Sequence, residues 1–185
     1  MIALLLASLV AAAPVSTPWT VGDLTVSTCS RRSAVQEVAD ADLVASAEKR
    51  LAVSDTSALM EMRGALEGLL ARHSDRRRVE LCADVVWVNS GDANDALYLQ
   101  ADMVGSVTKA TASTSRIEVA RNYVVDAAAI LAALAIDRGD RDKAAGWLDI
   151  GARVAPNDPA LLKLNALLKN PTVAGEALQA LRSAR

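Results

Sequence analysis

The side chains of this sequence that could do chemistry begin with His73, because it is the only histidine. A Ser-His-Asp triad or a Cys-His pair would therefore have to use it. No serine stands in a G-x-S-x-G motif, and His73 follows an apolar helical pattern. A histidine at a helix C-terminus interacts favourably with the helix dipole. We therefore expect His73 to be a surface residue at the end of a helix and not a catalytic base.

Two acidic clusters begin like ligand sets but lack what a metal site requires. Residues 92–95 start like a calcium loop, but Ala96 and Leu97 stand where a ligand and a glycine are needed. The second cluster lies at a predicted helix–turn–helix junction and comprises Asp137, Asp140 and Asp142. Helix capping explains Asp140, and solvated charge explains its two neighbours. With no phosphate loop, dinucleotide motif, haem motif or zinc spacing, the sequence predicts no catalytic residue, no cofactor and no metal.

The two cysteines, Cys29 and Cys82, are far apart and form no C-x-x-C motif. In an oxidising compartment such a pair is a candidate disulfide. Closing a chain segment of this length would stabilise the fold by about 4 kcal/mol through the entropy of the unfolded state. The alternative is two unlinked cysteines, with Cys82 buried as a small apolar residue.

The first sixteen residues have the pattern of a signal peptide. An apolar run of about twelve residues ends in Ala11-Ala12-Ala13 and is followed by Pro14. The run is too short to span a bilayer, and no Lys or Arg precedes it. We expect residues 1–16 to be removed and the protein to be periplasmic or secreted, with no stable membrane insertion after cleavage. A buried N-terminal helix or an uncleaved anchor is the alternative.

The charge balance argues against a nucleic-acid partner. The formal net charge is −2, whereas phosphate recognition needs a strongly basic face. The basic runs at residues 31–32 and 76–78 contain no aromatic residue that could stack on bases. Both are expected to be solvated helix ends or loops.

The rest of the chain reads as helices after a short extended segment. Residues 17–32 are rich in Thr, Ser and Val and predict a linker or a small hairpin around Gly22-Asp23. From residue 33 onward, apolar periodicity and capping residues predict eight helices. Their approximate ranges are 33–52, 56–73, 75–90, 92–107, 116–138, 140–155, 159–170 and 171–185. Residues 127–136 carry no charge, which indicates a helix packed on several sides.

Residues 131–159 carry a repeat pattern that decides how these helices are expected to pack. Its positions are Leu131 and Ala132 on a first helix, Gly139-Asp140 at the turn, Ala144 at the helix crossing, Leu148 and Pro156. Leu164, Ala177 and Leu181 repeat the spacing. This segment resembles the tetratricopeptide repeat (TPR), clearest over residues 125–185. The resemblance implies an all-α fold of antiparallel helical hairpins, a TPR-like α-solenoid.

The same resemblance implies a function in binding. TPR proteins hold a protein or peptide partner on the concave face made by the first helix of each hairpin. The corresponding residues here are Asp126, Ala133, Lys163 and Leu167. We therefore expect an exported interaction module or scaffold without catalysis. A structural component of the cell envelope, or an enzyme with a non-standard carboxylate or cysteine site, remains an alternative.

Overall fold

The computed structural model describes residues 19–21, 24–29, 33–82, 85–90, 97, 99, 116–121, 123–170 and 175–185. Five strands and six helices lie in this part of the chain. Their order is β1 (Trp19–Val21), β2 (Leu24–Thr28), α1 (Ala34–Ala52), α2 (Thr56–Arg72), β3 (Val79–Cys82), β4 (Val85–Ser90), β5 (Arg116–Arg121), α3 (Tyr123–Asp137), α4 (Arg141–Val154), α5 (Pro159–Lys169) and α6 (Glu176–Arg182). The predicted all-α solenoid of eight helices is therefore wrong, because a mixed sheet accompanies the helices.

The sheet has the order β1-β2-β3-β4-β5. Antiparallel pairs, β1 with β2 and β3 with β4, alternate with parallel pairs, β2 with β3 and β4 with β5. Helices α1 and α2 form the connection between the parallel strands β2 and β3, since a parallel pair needs a long crossover. Residues 17–32, expected to be a linker or a hairpin, thus contain the antiparallel pair β1–β2.

Two segments that were predicted as helix are strands. Residues 79–90 are rich in β-branched valine, which favours strands. Val79 pairs with Val88 across β3 and β4, and Val79, Val86 and Val88 are buried with Leu99 in a small core. The helix predicted over 116–138 begins only at residue 123, because β5 pairs with β4 first. The predicted helix over 92–107 and the predicted loop over 111–115 lie almost wholly outside the described residues, as does the predicted leader.

The other helix starts follow from side-chain caps. Ser33, Asp55, Asp140 and Asp158 each accept a hydrogen bond from a backbone N–H of the first helical turn, in α1, α2, α4 and α5 respectively. Such caps satisfy backbone donors that have no partner within the helix. The starts of these four helices agree with the sequence prediction.

Helix α3 is the centre of the helical part. Every residue from Tyr123 to Ile136 is buried, and α3 packs against α1, α2, α4, α5 and α6. The prediction of a helix packed on several sides is confirmed. Small residues allow this close packing: a Cβ on Gly151 of α4 would lie 2.8 Å from Leu161 Cδ1 and 3.2 Å from Ala128 Cβ.

Cys29 and Cys82 form a disulfide with their Cα atoms 4.7 Å apart. Cys29 directly follows β2, and Cys82 is the last residue of β3. Of the two alternatives that the sequence allowed, the structure contains the bonded pair. Within the described ranges, no helix combines the length and hydropathy needed to cross a membrane.

Candidate functional site

A cluster of polar side chains, most of them buried, joins α1, the end of α2 and the start of α3. Its members, called here the polar cluster, are Glu37, Asp40, Arg72, His73, Arg76 and Tyr123. Only 2% of the surface of Asp40 is exposed, 1% of Arg76 and none of His73. His73 is the residue that ends α2, so its predicted place at a helix terminus is correct. Its predicted surface exposure is wrong, because Asp40 and Arg76 enclose it.

The partners of His73 determine its tautomer. His73 Nε2 lies 2.7 Å from Asp40 Oδ2, and Nδ1 lies 3.2 Å from Arg76 Nη2. A guanidinium can only donate, so Nδ1 accepts from Arg76 and Nε2–H donates to Asp40. The ring is therefore neutral, with both nitrogens bonded. Its edge also packs on Tyr123 at a centroid distance of 5.5 Å.

Asp40 is held by three donors. Besides His73, Arg72 Nη2 donates to Asp40 Oδ1 at 2.5 Å, and Gln36 Nε2 donates to the same oxygen at 2.9 Å. Burial alone would raise the pKa of Asp40, but these three hydrogen bonds outweigh it and lower the pKa below its usual value. Asp40 is consequently a carboxylate over the whole neutral range.

Glu37 and Arg76 form the second half of the cluster. Arg76 Nη2 donates to Glu37 Oε1 at 2.6 Å and Arg76 Nη1 to Oε2 at 3.3 Å, a two-point ion pair. The hydroxyl of Tyr123 also donates to Glu37 Oε2. Burial, and then this hydrogen bond, raise the pKa of Tyr123, so the phenol stays protonated. Glu37 lies in α1, Arg76 lies just after the end of α2, and Tyr123 begins α3. The contacts among these three side chains therefore link α1, the end of α2 and α3.

The geometry of the polar cluster is better suited to holding the helices together than to catalysis. An Asp–His pair can serve as a general base only if one ring nitrogen reaches the substrate. Here one nitrogen faces Asp40, the other faces Arg76, and no surface of His73 is exposed. The cluster therefore fixes the mutual positions of α1, α2 and α3.

In the described part of the chain, a cavity lies between α1, α3 and α6. Its volume is about 310 Å³, at the lower end for sites that hold small ligands. Buried apolar residues form its floor, namely Leu51, Ile130 and Leu181. Polar residues Glu48, Asp126, Arg182 and Arg185 and the small residue Ala52 complete it. We refer to it as the α1–α3–α6 cavity.

An ion pair forms one side of this cavity. Arg185 Nη1 donates to Asp126 Oδ1, and the same nitrogen lies 3.9 Å from Asp158 Oδ2. The Asp126 side chain is 10% exposed and that of Arg185 is 26% exposed. Arg182, also at the cavity, donates instead to the hydroxyl of Ser54 in the turn after α1. The cavity therefore carries both signs of charge around an apolar floor.

A second concavity lies between α4 and α5. It measures about 300 Å³ and is more open, with a lining that includes Ala145, Leu148, Leu161 and Leu162. Leu162 is exposed, and the groove contains no buried charge in the manner of Asp126. We refer to it as the α4–α5 groove.

The four residues predicted to form a concave binding face do not share one surface. Asp126 lies in the α1–α3–α6 cavity, whereas Ala133 is fully buried within the helical core. Lys163 is exposed, with its ammonium 2.5 Å from Ser183 Oγ, and Leu167 is half-buried against the core. Helix α3 is the first helix of the hairpin that resembles the TPR, and α1, α2 and α6 pack against it. A partner therefore has no access to Ala133, which is fully buried.

The acidic cluster at the α3–α4 junction has structural roles. Asp140 caps α4, as predicted. Asp137 was expected to be merely solvated, but its carboxylate accepts from the N–H groups of Ala177 and Leu178 at 2.9 and 3.2 Å. It thereby caps α6, whose own N-cap residue is Gly175 and has no side chain to do so. Among the described residues, no group of three or more His, Cys, Asp or Glu side chains could hold a metal ion.

The polar cluster was not predicted from the sequence, although the sequence contains one signal of it. Asp40 shares the helical spacing of Val44, Ala47 and Leu51, which are the buried residues of α1. A charged residue on a buried stripe needs a partner, and the chain offers few candidates besides its arginines and His73.

Comparisons with known proteins add no further assignment: no family model matches the chain, and no curated protein or solved structure shows significant similarity to it.

Proposed function

We propose that this protein is an exported, non-catalytic interaction module that binds a short peptide segment of a protein partner in the α1–α3–α6 cavity. The observation that carries the proposal is the cavity itself, with its apolar floor and charged rim. The resemblance of residues 131–159 to the TPR, a repeat used for peptide binding, supports the same class of function.

The size and lining of the cavity favour a peptide side chain as occupant. A volume of about 310 Å³ has room for one or two side chains but not for a whole helix, which is about 10 Å across. Leu51, Ile130 and Leu181 offer an apolar floor, and burial of one aliphatic side chain contributes about 1.5–3 kcal/mol. The surrounding charges would fix the orientation of the segment, because charge complementarity chiefly gives specificity.

Export is part of this proposal. The apolar leader and the disulfide between Cys29 and Cys82 both favour an oxidising compartment, since disulfides are rare in reducing ones. Mass spectrometry of the mature protein, with and without thiol alkylation, tests this directly. An N-terminus at Met1, or two alkylated cysteines in the native protein, would count against export.

The buried position of His73 argues against a catalytic function. Both of its ring nitrogens are bonded within the polar cluster. In the α1–α3–α6 cavity, the carboxylate of Asp126 is already engaged by Arg185, so it is not poised to transfer a proton. The residues at the cavity are better suited to recognition.

A matched pair of substitutions tests the binding site. Ala52 is an exposed residue at the end of α1 that lines the cavity, so Ala52→Trp would fill the opening without entering the core. Ala145→Trp is the control, since Ala145 is an exposed alanine that lines the α4–α5 groove. Partners are captured by cross-linking from the exported fraction, and the bound segment is then synthesised and titrated calorimetrically.

We expect Ala52→Trp to weaken binding of the synthetic segment at least tenfold and Ala145→Trp to leave it unchanged. The site is refuted if Ala52→Trp binds as wild type, or if only Ala145→Trp loses affinity, which would place the partner in the α4–α5 groove. The function itself is refuted if no specific partner is recovered under conditions in which a known exported complex survives.

A further inference from the structure

We propose that the α1–α3–α6 cavity recognises a cation on an aliphatic stem, an arginine or lysine side chain of the partner segment, and that Arg185 occupies its position while the partner is absent. This inference rests on the proposed function, and it adds the chemistry of the ligand and an internal competitor.

Asp126 is a charge within an otherwise apolar buried helix. It is the only charged residue between Tyr123 and Ile136, all of which are buried. A carboxylate in such surroundings strongly requires a positive partner, because an uncompensated buried charge is very unfavourable. A ligand that displaces Arg185 from this side of the cavity would keep an ion pair with Asp126 only if it brings a cation of its own.

Arg185 supplies this cation in a way that permits exchange. It lies beyond α6, which ends at Arg182, and beyond the turn at residues 183–184. Withdrawal of its side chain would therefore leave the helix intact. Its side chain is 26% exposed, more than that of Asp126, so it enters from the solvent side. Asp158, its second and more distant neighbour, keeps its own role as the cap of α5 when Arg185 leaves.

The space beside the ion pair fits the rest of such a ligand. The cavity that contains Asp126 and Arg185 has Leu51, Ile130 and Leu181 as its floor. Arginine and lysine combine an apolar stem with a charged head, and they bury the stem along apolar surface. A guanidinium or ammonium at Asp126 would place its aliphatic stem, and a neighbouring apolar residue, on this floor.

The competing possibility is an anionic ligand, because two arginines line the cavity. Both are already engaged: Arg185 by Asp126 and Arg182 by the hydroxyl of Ser54. If an anion drew Arg185 away, the ion pair between Arg185 and Asp126 would be broken in a largely buried site. Exchange of one cation for another leaves the charge of the site unchanged, so the geometry favours a cation.

Arg185→Ala tests the inference with n-butylguanidinium as the probe, since it reproduces an arginine head on an aliphatic stem. Binding is measured calorimetrically and by the rise in Tm. We expect the variant to bind the probe at least tenfold more tightly than wild type and to gain Tm from it. n-Butanol and butyrate should do neither, and Arg185→Ala with Asp126→Asn should bind the probe at least tenfold more weakly than Arg185→Ala alone.

Arg153→Ala is the matched control, because Arg153 is a partly exposed arginine of α4 that pairs with Asp149 and does not line this cavity. It should bind the probe as wild type does. Should Arg185→Ala not fold, Arg185→Gln keeps a polar side chain at the position and is compared in the same way. The inference is overturned if wild type and the Arg185 variant bind the probe equally, if butyrate binds more tightly, or if Asp126→Asn makes no difference.

These outcomes are distinct from those of the partner experiment. The partner experiment can succeed, with weaker binding by Ala52→Trp, while wild type and Arg185→Ala bind the probe equally. That result would support the proposed function and refute the cation site. If the probe binds as expected but no partner is recovered, the cation site is supported and the proposed function is refuted.

Discussion

At the scale of single residues, Glu37 and Arg76 show why buried charges occur here in pairs. Arg76 is almost fully buried and makes two hydrogen bonds to Glu37. Removal of one member of such a pair typically costs about 3–5 kcal/mol, because the other is left uncompensated. Arg72 and Gln36 play the same part for Asp40, with His73 as the link between the two halves. The cluster thus depends on all of its members together.

The lowered pKa of His73 should make the stability of the protein depend on pH. Burial, the largest influence, lowers its pKa, as does Arg76, and the hydrogen bond to Asp40 only partly opposes this. The unfolded chain, with a pKa near 6.5, therefore binds the proton more readily than the folded chain. Stability must fall as the pH drops below about 6.5, by at most about 1.4 kcal/mol per pH unit.

His73→Gln is the matched variant, because an amide can donate to Asp40 and accept from Arg76 but does not titrate. Urea unfolding at pH 7.5, 6.5 and 5.5 measures the difference. Asp40 does not interfere in this window: its lowered pKa contributes stability that is lost only below about pH 3.9. Wild type and His73→Gln with the same loss between pH 7.5 and 5.5 would contradict the assigned neutral, buried imidazole.

Residues of α1 show how far single positions could be predicted. The apolar spacing of the helix predicted over residues 33–52 forms a stripe of Val35, Val38, Leu43, Ala47 and Leu51. Val35 and Val38 are 81% and 61% exposed, while Asp40 is buried in their place. Only the half of the stripe containing Ala47 and Leu51 is buried as predicted. Sequence spacing identifies a helix, but the rotation of its buried face depends on which residues α2 and α3 present to it. The cavity at Asp126 was likewise beyond prediction, because Arg185 reaches it from 59 positions along the chain.

At the scale of elements, the crossing of α4 over α3 and α5 depends on the absence of a side chain at Gly151. Gly151→Ala should bring its Cβ to 2.8 Å from Leu161 and 3.2 Å from Ala128. Overpacking of this kind costs about 1–3 kcal/mol, and the higher helix propensity of alanine returns about 1 kcal/mol. We expect a net loss of about 1 kcal/mol in urea unfolding.

Gly146→Ala on the same helix serves as the comparison. An added Cβ there meets nothing within 4 Å, so only the gain in helix propensity remains, about 1 kcal/mol of added stability. Opposite signs for the two variants support the close approach at Gly151. Stabilisation by both would show that α4 and α5 have room to separate.

Elements governed by local rules were predicted well, and those governed by pairing were not. Capping residues such as Asp55 and Asp158 set helix starts wherever the chain folds, and they were identified from the sequence. The strands β3, β4 and β5 exist because each has a neighbour to pair with. Val85 and Val86 also fit a helical spacing, so only the pairing of β4 with β3 and β5 distinguishes the two structures.

At the scale of the whole molecule, the buried apolar residues in the described part of the chain form two separate clusters. One fills the helical part around α3, and the other is a small set of residues on and near the sheet. The cluster at the sheet contains Val79, Val86, Val88 and Leu99, and the disulfide between Cys29 and Cys82 adds a covalent link between the end of β2 and the end of β3. The bond joins residues 53 positions apart, for which the chain-entropy estimate is about 4 kcal/mol.

Replacement of both cysteines by serine should therefore act unequally on the two parts. We expect faster amide exchange in β3 and β4 and little change in α3, with a loss of up to about 4 kcal/mol for the opening of the sheet. Hydrogen–deuterium exchange of wild type and the double variant measures this. An equal increase in both regions would mean that the molecule unfolds as one cooperative unit.

The same bond also makes a closed covalent ring of residues 29–82, with α1 and α2 inside it. The turn between these helices is exposed around Val53 and Ser54, where a protease would find access. A cut there opens the ring but separates nothing, since both fragments stay linked through the cysteines. The protein would survive one such cleavage as a single two-chain molecule, and only a reductant would release its N-terminal strands.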